Sequence, residues 1–217
     1  MKQLNLLAEF DACELQNAPN DGQNQNGDNG TITNGHEYVD LGLSVKWATC
    51  NVGATKPEEK GNLFAWGETA PKSSYSKDNY SYSANPDVLP LDQDAAHANW
   101  GGKWRMPTDD EWTELREKCT WKWRTVKGIH GYMVKSKING NSIFLPAAGY
   151  HIKVLYREGI YWRKAFDAGY YGEYWSSSLC TDYAYDAWSV DVESKYVSRD
   201  YDYRYNDKSV RPVIKID

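Results

Sequence analysis

The segment DAWSVDVES, at residues 186–194, alternates apolar and polar side chains with a period of two. In an extended chain, successive side chains point to opposite sides, so Trp188 and the two valines after it share one side. Ser189 and Asp191 share the other side. This alternation predicts a strand whose apolar side is buried and whose polar side, with Ser189 and Asp191, faces water.

Three nearby segments also have the composition of strands: GEYWSSSL at 172–179, KYVSRDYDYRY at 195–205 and SVRPVIKI at 209–216. Aromatic and β-branched residues are typical of strands. Earlier in the chain, Lys127-Gly128 and Asn139-Gly140 mark tight turns between shorter strand-like segments. The second half of the chain is therefore predicted to consist mainly of short strands.

Two helices are predicted before these strands. The segment DQDAAHA at 92–98 is typical of a short helix. The next helix is predicted to begin after Thr108, because Glu111 stands at the capping-box spacing and Trp112 and Leu115 fall on one face. Two helices early and many short strands late indicate the α+β class, with long irregular loops.

The composition of the 217 residues limits the classes of partner. The formal net charge is -5, and phosphate binding requires a basic surface, so no nucleic-acid partner is expected. Mean hydropathy is -0.77, and no run approaches the roughly 18 apolar residues of a membrane span. The cysteines and histidines show no metal-ligand spacing, so no metal and no cofactor are predicted.

The first 35 residues differ in character from the rest of the chain. Residues 16–35 are rich in Asn, Gln and Gly and predict a flexible polar linker. Residues 1–15 are read either as a short amphipathic attachment helix that docks a partner or as a frayed tail. The folded domain is expected to begin at His36, and the N-terminus shows no clear signal peptide.

Tyrosine is concentrated at the C-terminal end, where residues 151–217 hold 11 of the 17 tyrosines. The tract DYDYRYN at 200–206 has no apolar alternation and is not expected in the core. Clustered Tyr, Asp, Ser and Asn resemble an antibody paratope, because Tyr supplies contact area at low entropic cost. The alternative is a polar, tyrosine-rich edge strand and loop.

Six segments resemble, in order, one family: YVDLGLSVKWATCNVGA (38–54), FAWGET (64–69), AHANWGGKWRMPTDDEW (96–112), GNSIFLPAAGY (140–150), YWSSSL (174–179) and SVRPV (209–213). The family is that of the variable proteins of diversity-generating retroelements, from gut Bacteroidetes or their phages. They form part of the formylglycine-generating-enzyme-like branch of the C-type lectin fold. The resemblance implies one domain over 36–217, with two helices and a small twisted antiparallel sheet.

The resemblance also implies a variable region at about 171–206. In such systems a reverse transcriptase miscopies adenines, so codons of the type AAY change while scaffold codons persist. The predicted ligand-binding residues are reachable from AAY: Tyr171, Cys180, Tyr183, Tyr185, Asp186, Ser189, Asp191, Tyr196, Ser198, Asp200, Tyr201, Asp202, Tyr203, Tyr205 and Asn206. Arg105 and Arg211 are instead expected to hold loops through hydrogen bonds.

Three other functions are weighed against a variable binding protein. The first is an invariant surface binding module of the same family. The second is a calcium-dependent lectin, which Asn85-Pro86-Asp87 suggests, although no Trp-Asn-Asp motif follows. The third is the copper-dependent oxidase of the related enzyme branch, which uses a pair of active-site cysteines. The C-terminal part of this chain offers only Cys180, Cys119 lies on a predicted helix, and no cysteine pair stands in a matching motif. The chain is therefore predicted not to be an enzyme, and no catalytic residue is assigned.

The expected partner is a displayed ligand, either a protein or another cell-surface component. A receptor- or adhesin-type protein has to be presented outside the cell, so the sequence predicts location on a cell surface or a virion surface. The mixture of tyrosine and aspartate favours a protein partner.

Overall fold

The computed structural model describes residues 32–149, 152–156, 159–163 and 170–216. The predictions for residues 1–15 and for most of the 16–35 linker lie outside these ranges. Strand β1 (Ile32–Thr33) pairs in an antiparallel manner with β2 (His36–Val39). The described fold thus begins four residues before His36, inside the range predicted as linker.

Within the described residues, the two α-helices are α1 (Ala95–Trp100) and α2 (Asp109–Lys118), and 3-10 turns lie at Lys77–Asn79 and Leu91–Gln93. The remaining strands are β3 (Lys46–Ala48), β4 (Leu63–Phe64), β5 (Trp104–Arg105), β6 (Cys119–Val126), β7 (Ile129–Ser136), β8 (Ser142–Pro146), β9 (Ile152–Tyr156), β10 (Gly159–Arg163), β11 (Tyr171–Leu179), β12 (Asp186–Glu193), β13 (Tyr196–Tyr203), β14 (Lys208–Ser209) and β15 (Val213–Ile214). Neither α-helix is long and apolar enough to cross a membrane.

The predicted fold class, an α+β C-type lectin-like fold with one small sheet, is wrong. Strands make up 40% of the structure and helices 13%, which places the protein in a sheet-dominated class. Both predicted helices are present, but they have only six and ten residues. The strands that follow α2 assemble into several sheets rather than one, and this is why the expected balance of helix and sheet fails.

Three sheets and the β9–β10 hairpin organise the chain. The sheet that carries the tyrosine-rich segment has the order β13-β12-β11-β14-β4, with β13 at its edge. A second sheet has the order β1-β2-β3-β15-β5, so the C-terminal strand β15 lies between two strands from the first half of the chain. The third sheet, β6-β7-β8, is a simple antiparallel meander.

The β11–β12–β13 sheet is buried on both faces in its middle. Tyr174 belongs to one core cluster and Trp175 to the other, although they are consecutive residues of β11. Since successive side chains point to opposite faces, apolar side chains cover the sheet from both sides. On the neighbouring strand β12, Ser189 is 1% exposed and Asp191 is 8% exposed. The prediction that these two polar side chains face water is therefore wrong.

The beginning of α2 follows the predicted capping box. The Thr108 side chain accepts a hydrogen bond from the Glu111 N–H, and the Glu111 carboxylate accepts one from the Thr108 N–H. Arg105 donates two hydrogen bonds to the same Glu111 carboxylate, at 2.8 and 2.6 Å. Trp112 and Leu115 are buried as expected. The capping-box prediction is confirmed. Arg105 forms hydrogen bonds, as expected, but the side chain that it binds belongs to helix α2 rather than to a loop.

Candidate ligand-binding face

The predicted ligand-binding residues lie on three adjacent antiparallel strands, in the turns that join them, and in the segment between β13 and β14. β12 pairs with β11 on one side and with the edge strand β13 on the other. Six of these residues are exposed: Tyr183, Tyr185, Tyr196, Asp200, Tyr201 and Tyr203. Five are half-buried: Tyr171, Ser198, Asp202, Tyr205 and Asn206. Four are buried: Cys180, Asp186, Ser189 and Asp191.

Five tyrosines form a surface that we call the tyrosine patch: Tyr183, Tyr185, Tyr201, Tyr203 and Tyr205. The first four are 54%, 75%, 42% and 51% exposed, in that order. The rings of Tyr183 and Tyr201 are stacked with centroids 5.4 Å apart, and those of Tyr203 and Tyr205 are stacked at 5.1 Å. Stacking between neighbours limits the freedom of each ring, so a partner meets partly ordered aromatic surface.

Arg199 joins the patch to helix α2. Its Nε donates to both carboxylate oxygens of Asp109, each at 2.9 Å, and its guanidinium carbon lies 3.2 Å from the ring centroid of Trp188. Tyr201 meets the edge of the same Trp188 ring at 5.6 Å. Trp188 is consequently only half-buried. The expectation that it lies on a fully buried side is wrong, because an arginine rather than the core covers its ring.

Two aspartates of β13 accept hydrogen bonds from backbone N–H groups at the outer edge of the same strand. The Tyr201 N–H donates to Asp200 Oδ1 at 2.8 Å, and the Tyr203 N–H donates to Asp202 Oδ1 at 2.7 Å. In an antiparallel edge strand, every second residue points its N–H away from the sheet, where another strand can pair with it. Capping of these donors favours recognition through side chains over the addition of a further strand.

A buried ionic cluster lies on the opposite face of the same strands: Tyr171, Glu173, Asp191, Asp202 and Lys208. Lys208 is fully buried and donates to Glu173 and to Asp202 Oδ2, the latter at 2.8 Å. The Tyr171 hydroxyl lies 2.6 Å from Glu173 Oε1 and 2.9 Å from Asp191 Oδ2. One hydroxyl proton cannot serve both acceptors at once, so the geometry suits a protonated carboxyl group at one of them.

A raised pKa favours Asp191 as the carboxyl group that holds this proton. Burial, together with the charge of Glu173, raises its pKa to about 7. Its second oxygen, Oδ1, is buried without a hydrogen-bond partner in the described part of the chain. The same surroundings raise the pKa of the Tyr171 hydroxyl, first by burial and then by the charges of Glu173 and Asp191.

Stability should therefore depend on pH through Asp191. Its pKa is near 3.9 when unfolded and about 7 when folded, so the folded state holds an extra proton between these values. We expect the free energy of unfolding to fall as pH rises from about 4 to about 7, by up to about 1.4 kcal/mol per pH unit, and to level off above. Urea unfolding at several pH values checks this, with Asp191→Asn as the control. Equal pH slopes in the two proteins would contradict it.

No protein-family model, curated protein or solved structure matches this chain. The likeness of its six segments to the retroelement variable proteins remains a prediction from the sequence. No group of three or more His, Cys, Asp or Glu suited to a metal ion occurs in the described residues.

Arg204 fixes the end of β13 to the loop between β4 and α1. It is buried and donates to the Ala84 carbonyl and to Asn85 Oδ1, both at 2.9 Å. Its guanidinium also lies 5.3 Å from the ring centroid of Trp66. The Asn85 side chain, which suggested a calcium ligand in the sequence, is thus bonded to an arginine within the chain.

The sequence did not predict several features of this face. Trp188 was expected in the core, and neither Asp109 nor Lys208 was connected with the tyrosine-rich segment. The one available signal was charge in an apolar context, since Glu173 stands within a strand-like segment and Lys208 directly precedes another. Such a charge indicates that a buried partner exists but not which residue it is.

Proposed function

We propose that the chain is a ligand-binding protein of the receptor or adhesin type, which recognises a displayed macromolecule with the tyrosine patch. One observation carries the proposal: four tyrosines, each at least 42% exposed, are gathered on one edge of a sheet. Exposed aromatic clusters of this kind are typical of interaction sites, and tyrosine is enriched among the residues that dominate binding energy.

The framework beneath the patch supports the same proposal. Arg199 ties β13 to α2 through Asp109, and Arg204 ties the end of β13 to residues 84–85. Both contacts hold the strand that carries Tyr201 and Tyr203. A surface that is ordered before the ligand arrives loses less conformational entropy on binding.

Diversification of this surface by a retroelement is part of the proposal, as is its presentation on a cell or virion surface. Exposed positions such as Tyr183 and Tyr201 tolerate substitution at little cost, whereas buried positions such as Ser189 and Asp191 do not. Changes in a growing population should therefore concentrate at the exposed codons. Sequencing of the locus tests this, and a locus without a reverse transcriptase gene or a template repeat would contradict it.

Replacing all five tyrosines of the patch with serine should remove binding but not folding. The melting temperature is expected to stay within a few degrees of the wild-type value, because four of the five tyrosines are exposed, Tyr205 is half-buried, and exposed substitutions usually cost little. Thermal unfolding followed by circular dichroism measures this. A collapse in stability would show that these rings belong to the core and that the proposal has the wrong surface.

Selection from a library of displayed random 12-residue peptides on the immobilised chain tests the binding itself. Enriched peptides should bind the wild-type chain and lose at least tenfold in affinity for the five-serine variant. Tyr170→Ser is the matched control, because Tyr170 is 62% exposed but lies at the other end of β11. Peptides that bind all three proteins equally would argue against the tyrosine patch as the recognition surface.

A further inference from the structure

Asp186 lies among the tyrosines of the patch but takes no part in their stacking. It follows Tyr185 in the sequence, pairs with Tyr203 across the β12–β13 ladder, and donates its backbone N–H to the Tyr183 carbonyl at 2.8 Å. Its charge contributes to the raised pKa of Tyr205, where burial is the main cause. Its carboxylate therefore stands close to the rings that the proposed ligand would contact.

The Asp186 carboxylate is buried and incompletely satisfied. The residue is 9% exposed, and its Oδ1 has no hydrogen-bond partner among the described residues. Other aspartates of this sheet are used within the chain: Asp200 caps the Tyr201 N–H, and Asp202 accepts from Lys208. A buried acceptor without a donor is rare in native structures and needs a physical explanation, of which a bound partner is one.

The surrounding charge leaves no spare cation for this carboxylate. Residues 180–206, all of which the structure describes, hold the acidic residues Asp182, Asp186, Asp191, Glu193, Asp200 and Asp202 and the basic residues Lys195, Arg199 and Arg204. Arg199 is bonded to Asp109, and Arg204 donates to Ala84 and Asn85. Lys195 stands in the turn at the opposite end of the β12–β13 hairpin. Arg204 is near enough to lower the pKa of Asp186, although burial and Asp202 raise that pKa overall, but its hydrogen bonds go to Ala84 and Asn85. A cation that bonds directly to the Asp186 carboxylate thus has to come from outside.

We propose that Asp186 anchors a cationic side chain, an arginine or a lysine, of a protein ligand that covers the tyrosine patch. This inference rests on the proposed function and names the chemistry of the partner. The ligand cation pairs with the carboxylate and lies against the surrounding tyrosine rings. Rotation of the exposed rings opens the way to the carboxylate, and such rotamer changes are common when interfaces form.

The chain itself shows that this combination of groups suits a guanidinium. Arg199 is held by a carboxylate, Asp109, and by an aromatic face, that of Trp188. Arg204 lies against aromatic rings as well, 5.3 Å from Trp66 and 5.7 Å from Tyr80. Asp186 and the patch offer the same two components, a carboxylate and aromatic faces, without an internal arginine to fill them.

The test uses the peptides selected on the full chain and two matched variants. Asp186→Asn keeps the size of the side chain and removes its charge, and Asp182→Asn makes the same change at an exposed position in the adjacent turn. Each selected peptide is also prepared with every arginine replaced by its neutral isostere citrulline and every lysine by glutamine. Affinities are measured by calorimetry, and circular dichroism confirms that each variant is folded.

We expect the peptides to be enriched in arginine or lysine and to bind Asp186→Asn at least tenfold more weakly, with less than a threefold change for Asp182→Asn. Neutral peptides should bind the wild-type chain as weakly as the charged peptides bind Asp186→Asn. Peptides that need the five tyrosines but bind Asp186→Asn normally would overturn the inference and leave the proposed function intact. Peptides whose binding depends on neither the five tyrosines nor Asp186, or the absence of any enriched peptide, would count against both the inference and the proposed function. Should Asp186→Asn not fold, the citrulline and glutamine peptides on the wild-type chain decide the outcome.

Discussion

Replacing Lys208 with methionine is expected to destabilise the fold by about 3–5 kcal/mol, because it leaves the buried Glu173 carboxylate and the half-buried Asp202 carboxylate without their cationic partner. Lys208 is 1% exposed, and its ammonium donates to both Glu173 and Asp202. The two carboxylates raise the pKa of this lysine despite its burial, which by itself lowers the pKa. Methionine fills a similar volume, so the loss reflects the charge rather than a cavity.

The size of this effect can be assigned to the unpaired carboxylates by a second substitution. Glu173→Gln added to Lys208→Met removes one of the two stranded charges and should recover part of the lost stability. Urea unfolding of the wild-type chain, the single variant and the double variant measures each step. A loss below about 1 kcal/mol in the single variant, or no recovery in the double variant, would show that the cluster is solvated and not buried.

The ionic cluster around Lys208 shows why the sequence predicted strand β12 correctly but not what packs against it. The alternation in residues 186–194 identifies which side chains share a side of β12. It does not show what packs against that side. Lys208 and Tyr171, from β14 and β11, contribute to the cluster on the side of Asp191. Contacts between distant segments of this kind have no local signature, so Ser189 and Asp191 were wrongly placed in water.

The prediction of the fold class was wrong for a related reason, whereas the prediction of where α2 begins was correct. The capping box of α2 lies within four consecutive residues, Thr108 to Glu111, and follows from local hydrogen bonding alone. The number and order of the sheets depend on pairings such as that of β15 with β3, whose residues Val213 and Trp47 are far apart in the chain. Short strand-like segments indicate that sheets exist but leave their partners open.

The sequence predicted the tyrosine patch better than it predicted the contacts that hold the patch in place. Tyrosine without apolar neighbours is expected at the surface, and the exposure of Tyr183, Tyr201 and Tyr203 agrees with that expectation. The bond between Arg199 and Asp109 spans 90 positions of the chain. The sequence therefore identified the exposed tyrosines, whereas the contact that holds their strand in place required the structure.

Arg211→Ala should be as damaging as the loss of Lys208, with an expected cost of about 3–5 kcal/mol, because several buried hydrogen bonds are lost together. The guanidinium is fully buried and donates to Asn51 Oδ1 at 2.8 Å, to the Ala48 carbonyl at 2.9 Å and to the Phe144 carbonyl at 3.0 Å. These acceptors lie on the end of β3, the loop after it, and β8. The hydrogen bonds confirm the loop-holding role that the sequence predicted for Arg211.

The acceptors of Arg211 are neutral, so its removal leaves unpaired carbonyl and amide groups instead of unpaired charges. Each buried acceptor without a donor costs about 1–3 kcal/mol, and four acceptors, which include the Thr49 carbonyl, lose Arg211 as a donor together. Lysine at position 211 should restore little of the lost stability. Its single ammonium group cannot reach all the acceptors that surround the planar guanidinium of arginine. Thermal unfolding of Arg211→Ala and Arg211→Lys measures both effects, with Arg124→Lys as the exposed control. If Arg211→Lys were as stable as the wild-type chain, the fork geometry would not be what joins these three segments.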